Sequence, residues 1–418
     1  MSTEPIRHFP VRPNLVQLKH QAKDFLKALR SEEPAAVNEF SQLRRTPLDP
    51  SMAKLIDAQY VLARSYGLAS WPRLVLACRM TNAIWDDDAA TVHELIAAHP
   101  KLLKESARGF SDNWGAPLSY AATVGRNDII QLLRDLGADD LQFAFERACL
   151  KGHIEIARSL FDMGARPMAG SVMGPCETLN GEGLEFQLKL GAALTDEKGN
   201  PLAPVGLILQ TYSRNPEGKH RCLDLVRTHG TELPDTPPMA IHRGRIDLLE
   251  THLKQDPDLF TRTYPHTQIF PIELGCSEDP TYALCGAPLG GTTLLHMCMD
   301  YDEYDLARWI LDQGGPVDVP ARIDAEGFGG HTALFACVVS QPYRVGRGQP
   351  ERLTRLLLDH GADVNARASI RKALRFVEDE TLHVYRDVTP RALGERFHDQ
   401  DWVNKPALNL IIQAGGDL

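Results

Sequence analysis

Apolar positions near the start of the chain recur at helical spacing. Leu15, Leu18, Ala22, Phe25, Leu26 and Leu29 form one stripe. Ala53, Ile56, Ala58, Tyr60, Val61, Ala63 and Tyr66 form a second, closed by Gly67. Ser70-Trp71-Pro72 then opens a third helix through Leu74, Leu76 and Cys78, with serine as the cap and proline in the first turn. Farther along, a different pattern takes over, in which a leucine-rich segment runs into a small pair. Leu132-Leu133 leads to Gly137-Ala138-Asp139, Leu160 to Gly164-Ala165, and Phe186 with Leu188 to Gly191-Ala192. Leu356-Leu357-Leu358 leads to Gly361-Ala362-Asp363-Val364-Asn365-Ala366, and weaker copies end at Gly230-Thr231, Gly314-Gly315 and Gly415-Gly416. A glycine directly after an apolar helix predicts a left-handed C-terminal cap at each of these places.

A second marker lies upstream of each small pair. Gly115-Ala116-Pro117-Leu118 precedes Tyr120-Ala121-Ala122 and Gly125, Thr293-Leu294-Leu295-His296 follows Gly291, Thr332-Ala333-Leu334-Phe335 follows Gly330, and Thr389-Pro390 opens the last copy. Between the two markers lie Gly152-His153-Ile154 and Gly244-Arg245-Ile246, read as mid-unit turns. Taken in order, these features resemble the ankyrin repeat, about 33 residues of helix, turn, helix and β-turn. The resemblance implies an all-α solenoid of stacked helix pairs. About nine units, several degenerate, are expected over residues 82–418, with residues 1–80 as a helical extension. The segment from Asp57 to Pro72 resembles a helical stretch that precedes ankyrin repeats in many bacterial proteins. Because an array needs its terminal unit shielded from water, that extension is expected to be a cap.

Unit lengths depart from the family pattern. Gly137 to Gly164 and Gly164 to Gly191 are each 27 residues, so these units should lack a hairpin finger, whereas Gly314 to Gly361 is 47 and Gly361 to Gly415 is 54. Extra sequence is concentrated at 341–350 and in an aromatic, proline-rich stretch between Asp256 and Gly291. Little regular sheet is expected.

Composition changes this picture only by exclusion. At 418 residues the chain is too long for one ordinary core, and a net charge of −10 argues against a nucleic-acid partner. Eight cysteines without a C-x-x-C pair signal neither a zinc knuckle nor a disulfide scaffold. No apolar run reaches membrane-spanning length, and the opening Met-Ser-Thr-Glu-Pro-Ile-Arg-His lacks a leader's apolar stretch, so the expected location is the cytoplasm. No phosphate-binding loop, H-E-x-x-H or G-x-S-x-G motif is present, no cofactor is indicated, and the balance leans away from an enzyme.

Two classes of function follow. In the first, the chain is an interaction protein that binds a macromolecular partner, expected to be a protein, through its concave face; the alternative is an enzyme or small-molecule receptor with a pocket built by 257–298 and 341–350. Binding should concentrate in the C-terminal half, where insertions accompany the best-formed units. Phe328, His331, Tyr343 and Arg344 are the candidate contacts there, and Trp114 and Tyr120 are their counterparts on an earlier unit. As a metal site, His266, Cys276, Cys285 and His296 have suitable donors for zinc, but their spacing fits no compact finger, and His296 has a structural place in the Thr-Leu-Leu-His motif. A Cys–His nucleophilic pair from the same residues is a further possibility. Asp86-Asp87-Asp88 reads as a solvated turn rather than a cation site.

Overall fold

The computed structural model describes residues 7–44, 48–377 and 379–418. Met1–Ile6, on which most of the leader reading rests, lie outside them. The chain divides into two compact units, 1–166 and 167–418. Among the described residues its regular structure is nearly all helix, with one two-stranded sheet, so the fold is of the expected all-α repeat class.

In the first unit, helices Leu15–Arg30, Pro34–Leu43 and Leu55–Ser65 bury Phe25, Leu29, Phe40, Ala58 and Val61 in one core. A second core joins Phe9, Leu18, Leu62, Tyr66 and Leu74. The next helix runs unbroken from Trp71 to Trp85, through the boundary expected at 80–82. Its partner is Ala89–Ala98, so Trp71–Trp85 is the first helix of the first pair rather than the last helix of the extension. The Asp86-Asp87-Asp88 turn joins the two: Asp87 takes a left-handed φ of 58°, and the Asp88 carboxylate caps Ala89–Ala98 by accepting from the Thr91 amide at 3.0 Å. Two more pairs follow, Pro117–Val124 with Asn127–Asp135 and Leu141–Lys151 with Ile154–Asp162.

The second unit holds six pairs. Their first helices are Met173–Thr178, Ala203–Gln210, Pro237–His242, Leu294–Tyr301, Ala333–Val338 and Pro390–Arg396. Their second helices are Gly181–Lys189, Pro216–Thr228, Ile246–Gln255, Tyr304–Asp312, Arg352–Asp359 and Lys405–Gln413. Among the described residues this makes nine helix pairs. The hairpin Ala368–Lys372 with His383–Val388 fills most of the long gap before the last pair.

One hydrogen-bond pattern recurs at seven second-helix ends. The amide after the glycine reaches back five residues: Ala138 to Leu133, Ala165 to Leu160, Ala192 to Gln187, Thr231 to Val226, Gly315 to Ile310, Ala362 to Leu357 and Gly416 to Ile411. Each intervening glycine has positive φ, including 92° at Gly137, 117° at Gly164, 88° at Gly191 and 81° at Gly361. A β-carbon at any of these four would meet nothing within 4 Å, so backbone conformation alone demands glycine there. Each single substitution Gly137→Ala, Gly164→Ala, Gly191→Ala and Gly361→Ala is therefore expected to cost about 1–2 kcal/mol, the penalty of a left-handed L-residue. Urea unfolding of the variants measures this; equal stability in all four would show that the caps are not strained. The mid-unit turns share a second signature, but only some use glycine: Gly125, Gly152 and Gly244 are joined by Asp87, Leu179 and Asp302, all with positive φ.

Candidate functional site

In the second unit the site is built by two fingers and an insertion. The turn at 324–328 is closed by its own aspartate, whose Oδ1 accepts from the amides of Glu326 and Phe328 at 2.9 Å each. The Ala321 amide donates to the His331 carbonyl at 2.8 Å, which pairs the two arms of this finger. The Gly329 and Ser369 backbones bond to each other in both directions, at 2.8 and 3.2 Å, and this docks the finger on the hairpin. Gly329 sits at φ 126°, and a β-carbon there would lie 2.2 Å from the Arg322 carbonyl oxygen; only glycine allows this approach.

Strand Ala368–Lys372 alternates buried and half-buried positions. Ala368, Ile370 and Lys372 therefore share the inward face, as a two-residue period requires. Opposite lie Phe270, Pro280, Ala283, Cys285 and Leu289 of the insertion, and together these segments enclose a cavity of about 390 Å³. Phe328, His331, His266 and Arg322 also line it.

The candidate residues take diverse places. Phe328 is buried between two guanidiniums, with the Arg386 carbon 3.8 Å and the Arg371 carbon 4.7 Å from its ring centroid. This cation–π sandwich covers the ring rather than presenting it to a partner. His331 is buried, and its Nε2–H donates to the Pro288 carbonyl at 2.9 Å. Burial pushes its pKa down to about 4, so the ring is neutral. Its carbonyl accepts from His296 Nε2–H at 2.9 Å, and Thr293 Oγ1–H donates to His296 Nδ1 at 2.9 Å. Burial holds His296 still lower, at about 3. The two histidines thus fasten the start of one pair to the finger of the next. Tyr343 and Arg344 lie in the short helix Gln341–Arg344, capped by Ser340. Tyr343 lines a separate, far smaller recess beside Asp302, Arg347 and Arg352, and Arg344 is exposed. The 341–350 insertion is thus not part of the large cavity. The second wall comes from the hairpin instead.

Trp114 and Tyr120 belong to the first unit. Tyr120 is fully buried; its hydroxyl donates to the Val11 carbonyl at 3.0 Å and accepts from Trp85 Nε1–H at 2.8 Å. Trp114 is half-buried, with its ring 5.1 Å from that of Tyr120. Arg108 holds the same N-terminal strap by donating to the Phe9 carbonyl, while pairing with Asp112 at 3.1 Å. Both aromatics are therefore engaged with the chain's own residues.

Among the described residues, no three histidine, cysteine, aspartate or glutamate side chains are placed to hold a metal ion. His266 Nε2–H donates to the Ser277 carbonyl at 3.1 Å, and His296 is committed as above. Cys276 and Cys285 are buried, and burial raises both thiols well above their ordinary range, to about 12 for Cys276. A nucleophile or ligand needs the opposite shift.

Beneath the cavity lies a polar core that the motifs did not reveal. Arg214 is fully buried and donates to Asp300 Oδ2 and to the Asp300 carbonyl, each at 2.8 Å, and to the Thr211 carbonyl at 2.7 Å. The other Asp300 oxygen accepts from the Gly286 amide at 2.9 Å. Lys219, also buried, sets its Nζ 3.4 Å from the Tyr301 ring centroid and 2.6 Å from His242 Nδ1. His242 Nε2–H donates to the Ile269 carbonyl at 2.9 Å, so Nδ1 is the acceptor for the amine. Desolvation lowers Lys219 to about 7. Lys372 comes from the hairpin above. The sequence signal for it is a lysine in the inward register of a strand, legible only once that strand is known.

Residues 329–369 match the family model for the ankyrin repeat. An ankyrin repeat-containing protein of Saccharomyces cerevisiae, YGL242C, is 27% identical over 148 residues, 34% of this chain and 67% of that one. The E3 ubiquitin-protein ligase XBAT33 of Arabidopsis thaliana is 31% identical over 159 residues, 35% of this chain; the match spans only 29% of that ligase's length. Among solved structures, the human ASB11 ankyrin repeat domain aligns over 71% of this chain and 97% of its own, at 16% identity and a TM-score of 0.24. No described helix is long and apolar enough to cross a membrane.

Proposed function

We propose that this chain, which is an ankyrin-repeat protein, binds a protein partner through the fingers of its C-terminal pairs. Ankyrin repeats are in general protein-interaction modules, and that is the coarse reading the family supports. The observation that carries the finer one is a set of exposed apolar side chains on the two fingers. Phe376 is 80% exposed, Ile323 62% and Leu382 61%, with Val384 beside them. Large exposed apolar side chains grouped in this way are the usual centre of a protein interface. Around them stand Arg371, Arg375 and Arg386, two of which are held by carboxylates, Asp324 with Glu326 for Arg371 and Asp279 for Arg375. A polar rim around an apolar centre is the ordinary anatomy of such a surface.

Tyr343 and Arg344 lie in a different recess and serve as the internal comparison. Once a partner is isolated with the full chain, Phe376→Asp with Leu382→Asp is expected to weaken binding at least about tenfold, the scale of losing one anchor. Tyr343→Ala with Arg344→Ala should leave it nearly unchanged. Titration calorimetry separates the two; the reverse ranking would move the site to the 341–350 helix.

Residues 7–70 are proposed as the cap of the first pair. The core that joins Leu18, Leu62 and Tyr66 to Leu74, and the hydrogen bond from Asn82 Nδ2 to the Pro13 carbonyl at 2.8 Å, support this.

A further inference from the structure

We propose that the cavity between the 266–290 insertion and the 368–383 hairpin binds a small monocarboxylate with an apolar body, with the Lys372 amine as its counter-ion. The proposal does not depend on the protein-partner reading, because its test uses a small molecule alone, although Leu382 and Arg371 line the cavity as well as the finger surface.

The first argument is charge. Lys372 is only 7% exposed yet lines the cavity, and among the described residues its amine has no hydrogen bond or ion pair. A buried ammonium without a partner is costly. Both nearby carboxylates are already used. Asp300 is divided between Arg214 and the Gly286 amide. Asp324 accepts from Arg371 and from its own turn amides. Cys285 stays a neutral thiol because burial raises it. His266 and His331 each donate through Nε2 to a carbonyl, at Ser277 and Pro288, and an imidazole supplies no negative charge, although His331 Nδ1 has no partner among the described residues. Arg214 adds further positive charge below. Burial also lowers Lys372 from the ordinary lysine range, as expected for an amine short of a counter-ion.

The second argument is the mouth and the walls. Arg322 lines the cavity from an exposed position, and its guanidinium has no ion pair among the described residues. It can draw an anion in without closing the entrance. The remaining lining is mainly apolar, with Phe270, Leu289, Phe328 and Ile370 among it. At about 390 Å³ the volume falls within the range of small-ligand sites, roughly 300–1,000 Å³. An apolar chamber with one unmatched amine inside fits a ligand that is mostly hydrocarbon and carries one carboxylate.

Titration calorimetry of the full chain with decanoate, decan-1-ol and acetate tests this. Decanoate is expected to bind at least about tenfold more tightly than either of the others, because only it offers both the apolar body and the charge. Lys372→Met keeps the side-chain volume and removes the amine. It should weaken decanoate about ten- to a hundredfold and leave decanol unchanged. Arg322→Glu, on an exposed residue that folding does not need, should weaken decanoate several-fold and spare decanol. The proposal is overturned if wild-type protein fails to bind decanoate, if Lys372→Met binds it as well as wild type, or, should that variant not fold, if Arg322→Glu binds it undiminished.

Discussion

Replacing Arg214 with alanine is expected to destabilise the second unit by about 3–5 kcal/mol, the cost of stripping one partner from a buried ion pair. The reason is the number of groups that lose their donor at once. Asp300 is fully buried, and Arg214 is its ion-pair partner. The Thr211 and Ser213 carbonyls accept from the same guanidinium, at 2.7 and 3.0 Å, and it lies 4.7 Å from the Tyr301 ring centroid. Lysine cannot substitute, because one ammonium does not reproduce a planar fork serving several acceptors. The measurement is urea unfolding followed by tryptophan fluorescence; Trp309 and Trp402 both lie in this unit. The double change Arg214→Met with Asp300→Leu should recover part of the loss, since it removes both charges together. A single variant as stable as wild type would mean that water enters and solvates Asp300.

In the first unit the largest expected loss is at Tyr120. Tyr120→Ala should cost about 3–5 kcal/mol, as for other fully buried aromatics. Tyr120→Phe should cost only about 1–2 kcal/mol, because the ring still fills its site while the Trp85 indole and the Val11 carbonyl lose a shared partner. The two variants should also differ locally. In the phenylalanine variant, hydrogen exchange ought to rise first at residues 7–13, where the strap loses one tether but Arg108 still holds Phe9. Uniform exchange across the unit, with the strap no faster than the helices, would show that the strap is not a separately opening element.

The helix ends were legible because one physical requirement, a left-handed residue after an apolar helix, selects glycine at all seven. The mid-unit turns were only partly legible. The same geometry there is met by Leu179, which carries no turn signal by type, and by Asp302, whose type gives only a weak one. The candidate contacts were chosen as aromatic and histidine side chains near finger positions, and composition cannot distinguish a finger's tip from its root. His331 stands at the root against Pro288, and Phe328, though in the turn, lies covered by two arginines. Tyr120 reads as a first-helix surface residue until the N-terminal strap is seen lying on it, a contact across 109 positions of sequence. The 368–388 hairpin was missed for a similar reason. Its inward register includes a lysine, so apolar alternation breaks where the cavity begins.

The seven glycine ends also bear on how such a chain changes length. Each closes its helix with hydrogen bonds drawn from its own last turn and needs nothing from the residues that follow. The next pair restarts independently, from a threonine cap at two of the joins. Sequence added between such an end and the next start leaves the register of the stack untouched, and the entropy of closing the longer loop grows only slowly. Where two successive glycine ends bound a single pair, their spacing runs from 27 to 54 residues while the pairs still stack. In an array built this way, new surface is gained at the joints, and the 266–290 and 368–388 segments are two joints that have grown until they meet.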